Sequence, residues 1–200
     1  MIEGLKSLHD VRYCAAVGIG IVSFEMDPGS PEALSPAMVK EIMDWISGVE
    51  AVGWFGDAPF DAIANAVIAS SIQGVVVPMG RPLDELFGLG VRVIVDATRP
   101  KPDLLGELME RYPYLLALVE IEPSLSGDTA WDFSRFQDRL IMRCNVMPSM
   151  EHILYPNAAQ PFGISLGAMV RSEDGFLDYE ACDSLLQTYH VRAPVAWKDA

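Results

Sequence analysis

The residues MIEGLKS at positions 1–7 decide whether this chain forms an open sheet or a closed one. Met1-Ile2 followed by Glu3 and Gly4 is too short to stand as an independent strand. It reads as the first stave of something larger, with Glu3 at its carboxyl end. The rest of the chain supplies that larger object. Seven further runs are short, rich in Val and Ile and mostly bounded by Gly or Pro: 18–26, 49–56, 72–78, 91–98, 115–122, 139–146 and 162–168. Several are almost continuously apolar, as parallel strands covered by helices on the outside must be.

Helical segments fill the gaps, at 9–18, 59–71, 82–90, 101–112, 132–138, 148–156 and 178–190. One more opens at Ser35-Pro36, an N-cap followed by Pro at the first helical position, with Met38, Val39, Ile42, Met43 and Ile46 recurring at helical spacing. With MIE counted, eight strands alternate with eight helices. That predicts an α/β fold, a single (β/α)8 TIM barrel spanning residues 1–200 as one domain, at the short end of that fold's range of about 200 to over 400 residues. The rival is an open doubly wound sheet, but no G-x-G-x-x-G follows the first strand.

Composition narrows the function classes. The chain carries 28 acidic and 14 basic residues, a net charge of −14, and no basic run, which excludes a nucleic-acid partner. No apolar run reaches the ~18 residues of a membrane span, and no leader is visible, so neither a membrane partner nor export is expected. Cys14, Cys144 and Cys182 are odd in number and far apart, which suits reduced thiols in the cytoplasm. His9, His152 and His190 all fall on expected helices, where a packing or surface role is the default. No metal site and no cofactor are expected from them.

In a barrel of this kind the chemistry sits at the carboxyl ends of the strands. Those ends are Glu3, 24–27, Trp54, 77–79, Asp96, Glu120 to Glu122, 143–145 and 165–167. Glu3, Glu32, Asp96, Glu120 and Glu122 are expected to converge on one acidic mouth. Like charges sharing such a site raise one another's carboxyl pKa, so Glu3→Gln is expected to stabilise the protein at neutral pH.

Several stretches, in order and over the full length, resemble phosphoribosylanthranilate isomerase, the small barrel enzyme of tryptophan biosynthesis. MIEG (1–4) resembles that family's Lys-Ile-Cys-Gly. DPGSPEALSP (27–36) resembles its Pro-Lys-Ser-Pro-Arg-x-Val-Ser-Pro loop, and VVVPMG (75–80) its Val-Val-Gln-Leu-His-Gly. PSLSGDTAWDF (123–133), LIMRCNVMPSMEHIL (140–154) and GISLG (163–167) resemble its later Gly-Gly-Thr-Gly, Ala-Gly-Gly-Leu and Asp-Val-Ser-Ser-Gly stretches.

The resemblance implies an Amadori rearrangement, which needs a general base at C2 of the sugar and a general acid at the ring oxygen. The family's base position is Glu3 here, and its acid position is Glu120, with Glu122 the near alternative. The ligand positions depart from the family. Glu32 replaces the loop Arg, Val77 and Met79 replace a Gln and a His, and Gly163 replaces an Asp. Cys144 and Asn145 replace the Gly-Gly that admits a phosphate. Ser165 and Gly167 persist. Three readings stay open at this point. The chain is a divergent barrel without the isomerase activity, or an active isomerase with Glu3 as base and Glu120 as acid, or a barrel whose acidic mouth holds a divalent cation or a cationic metabolite. Its partners are then a small molecule at most, and it is a monomer or a homodimer.

Overall fold

The computed structural model describes residues 1–98, 102–120, 135–145, 161–172 and 175–188. Seven parallel strands follow one another around a single sheet in chain order. They are β1 (Ile21–Glu25), β2 (Glu50–Trp54), β3 (Gly74–Pro78), β4 (Arg92–Asp96), β5 (Leu116–Glu120), β6 (Leu140–Cys144) and β7 (Gly163–Leu166). The eighth stave is the one expected at the start of the chain. Ile2 bridges in parallel to Val22 on β1 and to Leu166 on β7, which closes the sheet into a barrel. Its amide donates to Ile21 O at 3.1 Å and its carbonyl accepts from Ser23 N at 2.9 Å; on the other side Leu166 N donates to Met1 O at 2.9 Å.

The described helices are α1 (Leu8–Ala16), α2 (Pro36–Met43), α3 (Phe60–Ser70), α4 (Asp84–Phe87), α5 (Pro102–Arg111) and α6 (Tyr179–Thr188). Local chemistry sets their ends. Ser7 and Ser35 cap α1 and α2, accepting from Asp10 N at 3.1 Å and Met38 N at 3.3 Å. The expected helix over 82–90 is a single turn, because Gly88 and the left-handed Gly90 end it early. Of the helix expected over 132–138, the described part is a 3₁₀ turn, Gln137–Arg139; the segment 148–156 lies outside the described residues.

Side chains alternate across each strand, so the core has two shells. Ile21, Val52, Val76, Ile94, Leu116, Leu118 and Ile141 fill the barrel interior, joined by Met1, Trp54 and Phe162. The intervening residues, among them Val22, Phe24, Val75, Val93, Ala117, Val119 and Met142, pack outward against Val11, Val39, Ile63, Leu105 and Leu185 of the helices. Each fully buried aliphatic side chain contributes about 1.5–3 kcal/mol of transfer free energy. Among the described residues no helix is long and apolar enough to cross a membrane.

Candidate functional site

The interior pattern continues to the carboxyl ends of the strands and fixes which residues face the mouth. Two residues beyond Val52, Val76, Ile94, Leu118 and Ile141 stand Trp54, Pro78, Asp96, Glu120 and Arg143; Glu25, the register partner of Trp54, and Ser165, that of Arg143, stand level with them, and Glu3 ends the first stave. The site is therefore ringed by acids around one arginine.

Arg143 organises the ring. Its Nε donates to Glu3 Oε1 and its Nη2 to Glu3 Oε2, both at 2.9 Å, a two-pronged fit of guanidinium to carboxylate. Its Nη1 donates to Thr98 Oγ1 at 2.5 Å and lies 3.5 Å from Asp96 Oδ1. The guanidinium carbon sits 5.3 Å from the centroid of the Trp54 ring. Both members of the main pair are mostly withdrawn from solvent, Arg143 with 11% and Glu3 with 17% of the side chain exposed. Burial alone would make the guanidinium easier to deprotonate. The hydrogen bonds and charge of Glu3, with Asp96 and Glu120 beyond, outweigh it and hold Arg143 above its ordinary value.

The remaining polar groups close around this pair. Ser165 Oγ donates to Glu3 Oε1 at 2.5 Å. Arg171 donates to the Glu3 carbonyl. Gly4 follows with φ +65°, a left-handed conformation that glycine adopts without strain, and its amide donates to Ser23 Oγ at 3.1 Å. Asp96 Oδ1 accepts from Thr98 N at 2.9 Å and also from the Thr98 hydroxyl. Asn145 Nδ2 donates to Glu120 Oε1 at 2.6 Å, and a Cβ on Gly167 would stand 3.1 Å from Asn145 Oδ1. Burial pushes the Glu25 carboxyl up from its ordinary value; the Asp27 amide at 3.0 Å opposes this and the Asp27 charge adds to it.

The structure thus brings Glu3, Asp96, Glu120, Asn145, Ser165 and Gly167 to one mouth. Glu32 stands apart: it is exposed in the loop after β1 and pairs with Lys6. Cys144 is separated from Asn145 by the alternation of the strand. Its thiol faces the helical shell, fully buried, and burial pushes it up to about 12. Glu122 lies outside the described residues. The expected mutual repulsion around Glu3 is corrected, because both of its oxygens bind a cation. The sequence places Arg143 at a strand end without assigning it a role. Its signal is parity: in β6, residues 141, 143 and 145 share the inward face.

Among the described residues no group of three or more His, Cys, Asp or Glu side chains is placed to hold a metal ion. The chemistry on offer is that of a carboxylate paired with a buried cation, flanked by Glu25, Asp96 and Glu120.

No protein-family model matches this sequence, and no curated protein matches it. Solved structures do match in fold. A monomeric form of the dimeric phosphoribosylanthranilate isomerase of Thermotoga maritima superposes with a TM-score of 0.75 at 17% identity, over 96% of this chain and 97% of that one. A phosphoribosyl anthranilate isomerase in complex with reduced 1-(o-carboxyphenylamino)-1-deoxyribulose 5-phosphate gives 0.74 at 17% identity, over 94% and 96%. The Thermus thermophilus phosphoribosyl anthranilate isomerase gives 0.69 at 20% identity, over 92% and 98%. At such identities the likeness establishes the barrel.

Proposed function

We propose that this chain is a divergent phosphoribosylanthranilate isomerase-like barrel that no longer carries out the isomerisation. One observation carries the reading: the residue at the base position, Glu3, has both carboxylate oxygens bound by Arg143 and one also by Ser165. A general base must offer a free lone pair within reach of the proton it takes. Three of the roughly four lone-pair sites of Glu3 are instead turned to a guanidinium and a hydroxyl, which fix the carboxylate against the protein.

The ligand positions support the same conclusion. A substrate of that isomerisation carries a phosphate and a carboxylate. The side chains that would receive them donate to carboxylates of the protein: Ser165 to Glu3, Asn145 to Glu120, and Arg143 to Glu3. At an effective dielectric near 20, two unit charges 4 Å apart interact by roughly 4 kcal/mol. An anion entering beside Glu25, Asp96 and Glu120 meets repulsion of that order with its natural partners already engaged. The excess of carboxylates favours a cationic metabolite over an anionic one.

The chain is taken as one domain, a monomer or homodimer in the cytoplasm. Its three cysteines are buried and unpaired, as a reducing compartment allows. The test is rescue of a tryptophan auxotroph that lacks the isomerase, with wild type and Glu3→Cys in parallel. Neither is expected to restore growth. Growth with the wild type, at verified expression, overturns the reading.

A further inference from the structure

We propose that the Glu3–Arg143 pair is a latch that holds the barrel closed at its seam, a duty independent of whether the mouth retains any catalysis. The ladders within the sheet are long. Neighbouring strands from β1 to β7 share three to five register pairs each. The seam is held differently. On each side the first stave contributes one bridged residue, Ile2, to Val22 and to Leu166.

The side chain of the next residue supplies what the ladder lacks. Arg143 on β6 is the register partner of Ser165 on β7, so its hold on Glu3 spans across β7 to the first stave. The same guanidinium reaches Thr98 and Asp96 at the end of β4. Ser165 adds a bond from β7, and Arg171 holds the Glu3 backbone. The seam is thereby tied through one carboxylate to strands on both sides of the barrel interior. Two-pronged, charge-assisted bonds with little solvent exposure are the strong class of such contacts, unlike surface pairs that are worth little. The same bonds that occupy most of the acceptor capacity of Glu3 give it this structural hold.

Native-state hydrogen exchange on the full chain tests the latch. Three amides report on the seam: Ser23 (to Ile2 O), Leu166 (to Met1 O) and Leu5 (to Ser23 O). In Arg143→Met they are expected to exchange at least tenfold faster, through an opening whose rate depends less on added urea than the global unfolding that exposes the amides of β3 and β4. Glu3→Gln, which keeps the shape of the site if Arg143→Met proves too unstable to study, is expected to give the same local pattern with a smaller rise. Arg92→Met is the control. It breaks the Glu50–Arg92 pair, 2.8 Å, at the opposite end of the barrel, and should leave the three seam amides at their wild-type rates. Unchanged seam amides in both Arg143→Met and Glu3→Gln, a urea dependence of the seam amides equal to that of the β3 and β4 amides, or an equal seam effect from Arg92→Met would overturn the proposal.

Discussion

Replacing Arg143 with Met removes the cation that binds the Glu3 carboxylate while keeping a side chain of similar length. Glu3 loses two bonds of 2.9 Å, and Glu3 and Asp96 are left with no charge between them. Breaking a buried pair by deleting one partner costs about 3–5 kcal/mol, because the other charge is stranded. Arg143 and Glu3 retain 11% and 17% side-chain exposure, so water relieves part of that, and the expected loss is about 3 kcal/mol. For a chain of this size about 1 kcal/mol shifts Tm by about 2–4 °C, so the melting temperature should fall by roughly 6–12 °C. Urea unfolding at pH 7 measures the free energy directly. Glu3→Gln alone should also destabilise, the reverse of what an unpaired acidic mouth would give. The double variant should be more stable than the sum of the two single losses implies, by about 1 kcal/mol or more, since it strands nothing. A loss in Arg143→Met below about 0.5 kcal/mol, the level of an exposed pair, or strict additivity in the cycle, refutes the assignment of Arg143 as the centre of the network.

Glu25 gives a pH-dependent outcome. Its folded carboxyl lies above the ordinary value, so its ionised form burdens the fold above that folded pKa and the burden lifts as pH falls through it. Glu25→Gln should therefore raise Tm at pH 7, with the difference from wild type vanishing below the ordinary carboxylate range; an equal difference at both pH values refutes the cause. The thiols offer a second check. Burial pushes Cys14 and Cys144 up to about 12 and Cys182 up to about 11, so a thiol reagent at pH 8 should label none of the three in the native protein and all three in denaturant. Prompt native labelling would contradict their placement in the outer shell.

The barrel was legible because alternating apolar strands and amphipathic helices occur in strict order, and because Met1-Ile2 cannot stand alone. The placement of Glu3 followed from the same count. Where the reading of elements fell short, local backbone chemistry decided: Gly88 and Gly90 cut the 82–90 helix to one turn. The site was less legible for a geometric reason. Strand parity shows that Arg143 faces inward, but its contact with Glu3 joins residues 140 apart in sequence and depends on how β6, β7 and the first stave lie beside one another. Charge counting along the chain saw several acids and no partner for them. The same parity, applied to β6, separates Cys144 from Asn145, and the length of the loop after β1 lets Glu32 pair with Lys6 away from the others.

The proposed loss of the isomerase site is tested most directly by titration calorimetry of the purified protein with reduced 1-(o-carboxyphenylamino)-1-deoxyribulose 5-phosphate, the compound bound in one of the structures that share this fold. It carries both a phosphate and a carboxylate, the groups that the proposed reading expects the mouth not to receive. The expected result is no saturable heat at millimolar ligand, corresponding to a binding free energy weaker than about −4 kcal/mol. A micromolar Kd, abolished when Asn145 or Ser165 is replaced, would contradict the account.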